Sequence, residues 1–273
     1  YKRQVYAFDS STISLCLKLC PWAKYRKNKG GIKMHTLVDL RGNLPVSVYL
    51  TSASVNDVKA LDDLYIEPSA IYLMDRGYVD FNRLFKLITK KNAFFVTRAK
   101  DNMLFEVVSE AEVDKSTGII SDERIKLTGL HTAKWYPEEL RMVTYEDYAT
   151  SKVYRFLTNN MEYEALTISE LYRERWNVEL YFKWIKQHLH IKSFYGTSEN
   201  AIYLQIWIAI CTYLLLAYAK KVMHIDQSLH TISKNVGLFL TDKTPLNELF
   251  NKAVPTEETE DWLYPSLFRP DDF

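Results

Sequence analysis

The chain has 273 residues, 47% of them hydrophobic and 25% charged, with a net charge of +1. This is ordinary globular composition with room for a sizeable core, and the near-zero net charge argues neither for nor against nucleic acid, because local patches decide that. Three cysteines, Cys16, Cys20 and Cys211, form no C-x-x-C pair, which argues against a disulfide framework or zinc site and fits a reducing cytoplasm. The chain begins at Tyr1 without a signal peptide and reads as part of a longer protein.

The predicted elements begin with a β-type run, Val5 to Phe8, that ends in Asp9. Two more strands, Gly31 to Leu40 and Leu44 to Ser52, flank the hairpin link Arg41-Gly42-Asn43. Asn56 to Leu64 reads as a short helix with Asn56 as N-cap. A buried strand, Ala70 to Met74, ends in Asp75. Phe81 to Lys91 is helical, with Phe81, Leu84, Phe85 and Ile88 on one face, and Ala93 to Thr97 is another strand. Residues 99–166 hold four short β-like pieces, Phe105 to Val108, Arg124 to Leu127, Arg141 to Tyr145 and Val153 to Thr158, and read as a β-rich insert. A long helix, Ser169 to His190, follows. The next helix, Ala201 to Ala219, is apolar enough to imitate a membrane span. Its scattered Tyr, Gln, Trp and Thr side chains favour a core helix buried on most sides. Shorter helices and an acidic tail around Glu257 to Asp261 close the chain.

Two predicted strands thus finish in aspartate, a residue disfavoured in strands because its charge resists burial. They could deliver two carboxylates to one sheet edge, or each could simply start a loop or cap the next element. On the long helix, with Tyr172 at 0°, Arg175 falls at about 300°, Glu179 at about 340° and Lys186 at about 320°. The apolar residues Leu171, Val178, Phe182, Ile185 and Leu189 lie directly beside this stripe. The polar row is either held at the rim of the core or is a solvated face with Arg175 and Glu179 as an i,i+4 ion pair.

Tyr172, Arg175, Glu179 and Lys186 match Y-x2-R-x3-E-x6-K. With Asp9 in Phe-Asp-Ser-Ser-Thr and Asp75 in Asp-Arg-Gly-Tyr-Val-Asp, the chain resembles DDE transposases of bacterial insertion sequences, of the insertion sequence 4 type, over roughly Tyr1 to Lys221. The resemblance implies an α/β fold: a ribonuclease H-like core, a mixed sheet flanked by helices, with a β-rich insert before the final catalytic helix. The expected organisation is core, first part, at 1–98; insert at 99–166; core, second part with the glutamate helix, at 167–225; and a helical tail at 226–273. The family's N-terminal DNA-recognition region is expected to be absent.

By the same resemblance Asp9, Asp75 and Glu179 are the catalytic residues and hold two Mg²⁺ or Mn²⁺ ions. Arg175 and Lys186 would hold phosphates, and Tyr172 would orient a phosphate or a carboxylate. Trp135 in the insert is a candidate for stacking on a base. The implied reaction is cut-and-paste transposition: strand cleavage and strand transfer at transposon ends, on double-stranded DNA, by a homodimer, in the bacterial cytoplasm at the nucleoid and without a membrane. The basic stretch with Lys24, Arg26, Lys27 and Lys29, and with Lys18 and Lys33 at its ends, has no acidic residue between Ser10 and Thr36. It is either a DNA-contacting loop with Trp22 and Tyr25 interleaved or a solvated loop. Two other readings are a ribonuclease H-like nuclease without strand transfer and an inactive DNA-binding remnant.

Overall fold

Strand-type runs in the first hundred residues become neighbours in one sheet. In the computed structural model, which describes residues 3–188, 194–239, 241, 243 and 250, these are β1 (Val5–Leu15), β2 (Lys24–Arg26), β3 (Lys29–Asp39), β4 (Leu44–Ser52), β5 (Ile71–Met74) and β6 (Phe94–Arg98). The strands β7 (Phe105–Glu110), β8 (Ile119–Leu127), β9 (Leu140–Asp147) and β10 (Lys152–Thr158) follow. Together they form a ten-stranded sheet in the order β2-β3-β1-β5-β6-β10-β9-β8-β7, with β4 also pairing β3. Residues 1–181 make one compact unit and Phe182–Pro265 a second.

The centre of the sheet is parallel. β1 pairs β5, and β5 pairs β6, both parallel, whereas β1 and β3 are antiparallel. All four β5 residues are buried, as a strand covered on both faces requires. Alternate residues enter two cores. Tyr72 and Met74 join Phe8, Leu61, Leu84 and Phe95 on one face, while Val5, Ile71, Leu73 and Val96 pack with Ile168 and Leu171 on the other. The first face is covered by two short helical segments. One is Asp57–Asp63, capped by Asn56, whose side chain accepts from Val58 N at 3.3 Å. The other runs from α1 (Phe81–Arg83) through wider and then tighter turns to Lys91. The second face is covered by α3 (Ala165–Glu174).

The fold is therefore the expected mixed sheet flanked by helices, with three differences. First, β1 does not stop at Phe8 but continues to Leu15, because β3 pairs with it from Tyr6 to Leu15, past the end of the short parallel partner β5 at Phe8. Second, residues 99–166 are β-rich, but their strands extend the central sheet through the antiparallel β6–β10 pair. A short helix, α2 (Thr132–Trp135), interrupts them. Arg141 on β9 binds Asp122 bidentately at 2.7 and 2.6 Å and donates to the carbonyls of Asn160 and Tyr163, tying this region to the segment that enters α3. Third, the single long helix is two, α3 and α4 (Trp176–His188), meeting at Arg175.

In the second unit, α5 (Glu199–Val222) is capped by Ser198, and α6 (Leu229–Leu238) by Ser228. Leu216, Ile225, Ile232 and Phe250 form its buried cluster. The expectation of a helix buried on most sides fails for α5. It is long and apolar enough to cross a membrane, yet only 33% of its most apolar window is buried. Leu189 and the acidic tail around Glu257 to Asp261 lie outside the described residues.

Candidate active site

Register places the two aspartates together. Phe8 on β1 lies beside Met74 on β5, so the next residue of each strand, Asp9 and Asp75, continues adjacent rows. Val5, Ile71 and Leu73 point to the face under α3, and the two-residue period sends Asp9 and Asp75 the same way. Asp75 also caps the turn after β5, its Oδ2 accepting from Gly77 N at 3.2 Å. The cap and the shared edge are thus both present at this residue.

Arg175 closes the cluster from above. One guanidinium nitrogen donates to Asp9 Oδ2 at 3.2 Å, and another lies 2.6 Å from Glu179 Oε1, an i,i+4 pair. Asp9 Oδ1 accepts from Ser10 N at 2.7 Å. Burial pushes the Asp9 carboxyl up to about 7; Arg175 and the Ser10 N–H pull it down, while the charges of Glu179 and Asp75 push it up. Asp9 and Glu179 therefore share one guanidinium, and the charge of Asp75 acts on the same group.

Tyr172 is only 3% exposed. Its ring packs on Phe156 with centroids 4.9 Å apart, and the Arg175 guanidinium lies 5.6 Å from the same ring. It supports Arg175 from behind. Lys186 is half-buried on α4 and belongs to the second unit. Trp135 is 47% exposed at the end of α2, stacked on His131. Lys24, Arg26, Lys27 and Lys29 are exposed on the β2–β3 hairpin at the end of the sheet order, and none pairs with a carboxylate among the described residues. Lys33 is instead bound to Asp57 at 2.9 Å.

Sequence reasoning missed Arg98, Tyr78 and Asp57. Arg98 ends β6 on the side of the sheet that Val96 shares with Asp75, and its charge acts on Tyr172. Tyr78 is buried against Phe8 and is raised by burial and then by the Asp9 charge. Asp57 accepts from Ser10 Oγ and Lys33. A basic residue closing a strand next to an aspartate strand was the only local signal for Arg98; the other two depend on contacts across the sheet.

The donor set is all carboxylate, which suits a hard cation such as Mg²⁺. Excess negative charge around one guanidinium fits such an ion. Among the described residues, however, no three His, Cys, Asp or Glu side chains stand close enough to cage a metal. Arg175 lies between Asp9 and Glu179.

The sequence matches the family described as "Transposase DDE domain" over residues 1–215. A Sinorhizobium fredii protein named as transposase y4zB is 37% identical over 221 residues, covering 80% of this chain and 61% of that protein. A Geobacillus stearothermophilus protein named as the transposase of insertion sequence element IS5377 is 28% identical over 251 residues, covering 90% of this chain and 65% of the relative. The chain thus spans less than two thirds of the length of these relatives. Among solved structures, a piggyBac transposase synaptic complex with hairpin DNA matches with a TM-score of 0.52 and 15% identity, covering 93% of this chain and 58% of that one, a likeness of fold.

Proposed function

We propose, for a chain that belongs to the transposase DDE domain family, that it is the catalytic part of a transposase that cuts and rejoins DNA strands at transposon ends. The observation that supports this reading is the Arg175 guanidinium bound to both Asp9 and Glu179, with Asp75 continuing the strand row next to that of Asp9. Placement in the insertion sequence 4 type rests on Tyr172, Arg175, Glu179 and Lys186 in Y-x2-R-x3-E-x6-K.

Asp9, Asp75 and Glu179 would hold two Mg²⁺ or Mn²⁺ ions. When bound, such ions lower the pKa of an attacking water or hydroxyl and neutralise the leaving oxyanion. The chain's own residues set the stage for that. The middle of β1 and the end of β5 would hold the two aspartates, and α4 would bring the glutamate to them. Arg175, which binds Asp9 and Glu179, would hold these carboxylates in place and offer its remaining N–H groups to a phosphate oxygen. Tyr172 orients Arg175 and stays out of solvent. In cleavage, water attacks the phosphorus, the P–O3′ bond breaks, and the 3′ oxygen leaves as a hydroxyl after protonation. In transfer, that 3′-hydroxyl attacks a target phosphate and displaces another 3′ oxygen. The exposed cations of the β2–β3 hairpin would contact the DNA backbone, and a homodimer, one copy per end, is the assembly this chemistry calls for.

Nicking of a labelled duplex carrying the element's terminal repeat, with Mg²⁺ or Mn²⁺, tests the site. Asp9→Asn, Asp75→Asn and Glu179→Gln should each lower the rate by roughly a thousandfold or more, about 4 kcal/mol of transition-state stabilisation. Cleavage at the unaltered rate by any one of them removes that residue from the site.

A further inference from the structure

The helix α5 carries two apolar faces, and among the described residues only one is buried. Ile202, Ile206, Ala209, Ile210, Tyr213 and Leu216 are buried. On the opposite side Leu204, Ile208, Leu215, Tyr218 and Val222 are 62%, 57%, 69%, 63% and 54% exposed, and Cys211 is exposed among them. The steps between these six residues alternate strictly, four then three. At 100° per residue they fall within about 40° of one line, opposite the buried face. A strict alternation over about three heptads is the a/d seam of a coiled coil, a pattern that fits a facing helix rather than a flat surface.

We propose that this face pairs antiparallel with α5 of a second copy of the chain. The occupant follows from the residues. From Asn200 to Ala219 α5 has no charged side chain, while Glu199 lies at its start and Lys220 and Lys221 at its end. An antiparallel pair sets the acidic end of one helix beside the basic end of the other; a parallel pair sets like beside like. The seam also closes on itself. Leu204 meets the partner's Val222, Ile208 meets the partner's Tyr218, and Cys211 meets the partner's Leu215. Each of these layers is repeated by the two-fold axis, so no seam residue lacks a partner. Trp207, 41% exposed on the flank, comes beside the partner's Lys221, a cation–π pairing. A contact about 27 Å long and about 10 Å wide covers about 270 Å² of each helix, about 540 Å² in all, the size of a weak and transient interface. The pairing is therefore weak and reversible.

The inference rests on the geometry of α5, independently of the cleavage reading. Its readout is self-association, so failure here leaves the carboxylate site untouched, and inactivity of the aspartate variants leaves this interface untouched. Sedimentation velocity of the full chain without DNA, from about 1 to about 100 µM, should show a monomer–dimer equilibrium. Ile208→Glu and Leu215→Glu, both at exposed positions, should raise the dissociation constant at least tenfold with circular dichroism unchanged. Orientation is read by cysteine pairs in a Cys211→Ser background. Leu204→Cys mixed with Val222→Cys should give oxidised heterodimers, and Leu204→Cys alone should give none. A monomer throughout the range, a seam variant that dimerises like the parent, or oxidised dimers of Leu204→Cys alone would each overturn the proposal. So would flotation of the parent chain with phosphatidylcholine vesicles, which would assign the face to lipid.

Discussion

A guanidinium held between Asp9 and Glu179, with Asp75 beside them, leaves the metal-free cluster with more negative than positive members. Removing that guanidinium strands repelling carboxylates at the rim of the core. Arg175→Ala should therefore lower the metal-free stability by about 2–4 kcal/mol, somewhat less than a fully buried pair would lose, because Glu179 is 30% exposed. Mg²⁺ should restore part of the loss, and thermal melts with and without the ion check this. Asp9 carries its own pH signature. Its carboxyl is raised to about 7 from an ordinary 3.8, so between those values the folded chain holds a proton that the unfolded chain has given up. The stability tied to that proton is present at low pH and lost as pH rises through 7. Without metal, the parent should weaken relative to Asp9→Asn between pH 5 and pH 8, by up to a few kcal/mol. Parallel melting curves for the two proteins across that range would contradict the buried, crowded carboxyl. Asp9 and Glu179 were legible as candidates from their neighbours in the chain. The Arg175–Glu179 pair was legible as an i,i+4 alternative; that Arg175 also binds Asp9 was not, because a helical stripe does not say what lies opposite it.

The element that positions Asp9 is a strand longer than its apolar run. β1 continues past Asp9 because Gly30 and Gly31 on β3 allow close pairing with Leu15 and Ser14. A Cβ at Gly31 would stand 2.9 Å from the Ile13 carbonyl oxygen and 3.2 Å from the Thr12 methyl. Gly31→Ala should cost about 1–3 kcal/mol, because the nearest obstacle is backbone and cannot turn away. Denaturant titration measures it, and an unchanged midpoint would mean that β1 and β3 separate readily there. Strand type was legible from period-two and all-apolar runs. The far end of β1 was not: Ser10 to Ser14 is a polar segment whose strand character comes from pairing with β3. The joint at Arg175 likewise interrupts a helical period that runs smoothly through the sequence, since the periodicity is insensitive to a one-residue break between α3 and α4.

Across the whole molecule the charge is nearly balanced, yet Lys24, Arg26, Lys27 and Lys29 stand together on one exposed hairpin. If they lie on DNA phosphates, changing all four to Ala should flatten the dependence of log affinity on log salt by up to about 3–4, near 0.9 for each phosphate left unneutralised. Affinity should fall similarly on end-sequence and scrambled duplexes, because phosphate recognition carries no base information. A salt slope unchanged in the quadruple variant would make the hairpin a solvated edge. By itself the sequence determined the strand and helix types, the order of the sheet's core elements, the β-rich character of 99–166 and the carboxylates worth testing. These follow from local periodicity and from residue types whose chemistry is narrow. Only the tertiary structure decided that Asp9 and Asp75 sit in adjacent rows, that Arg175 binds Asp9 as well as Glu179, that residues 99–166 extend the sheet, and that α5 keeps a second apolar face exposed among the described residues. Each depends on which segments meet across long stretches of chain, and hydrophobic pattern marks a face as apolar without saying whether anything covers it.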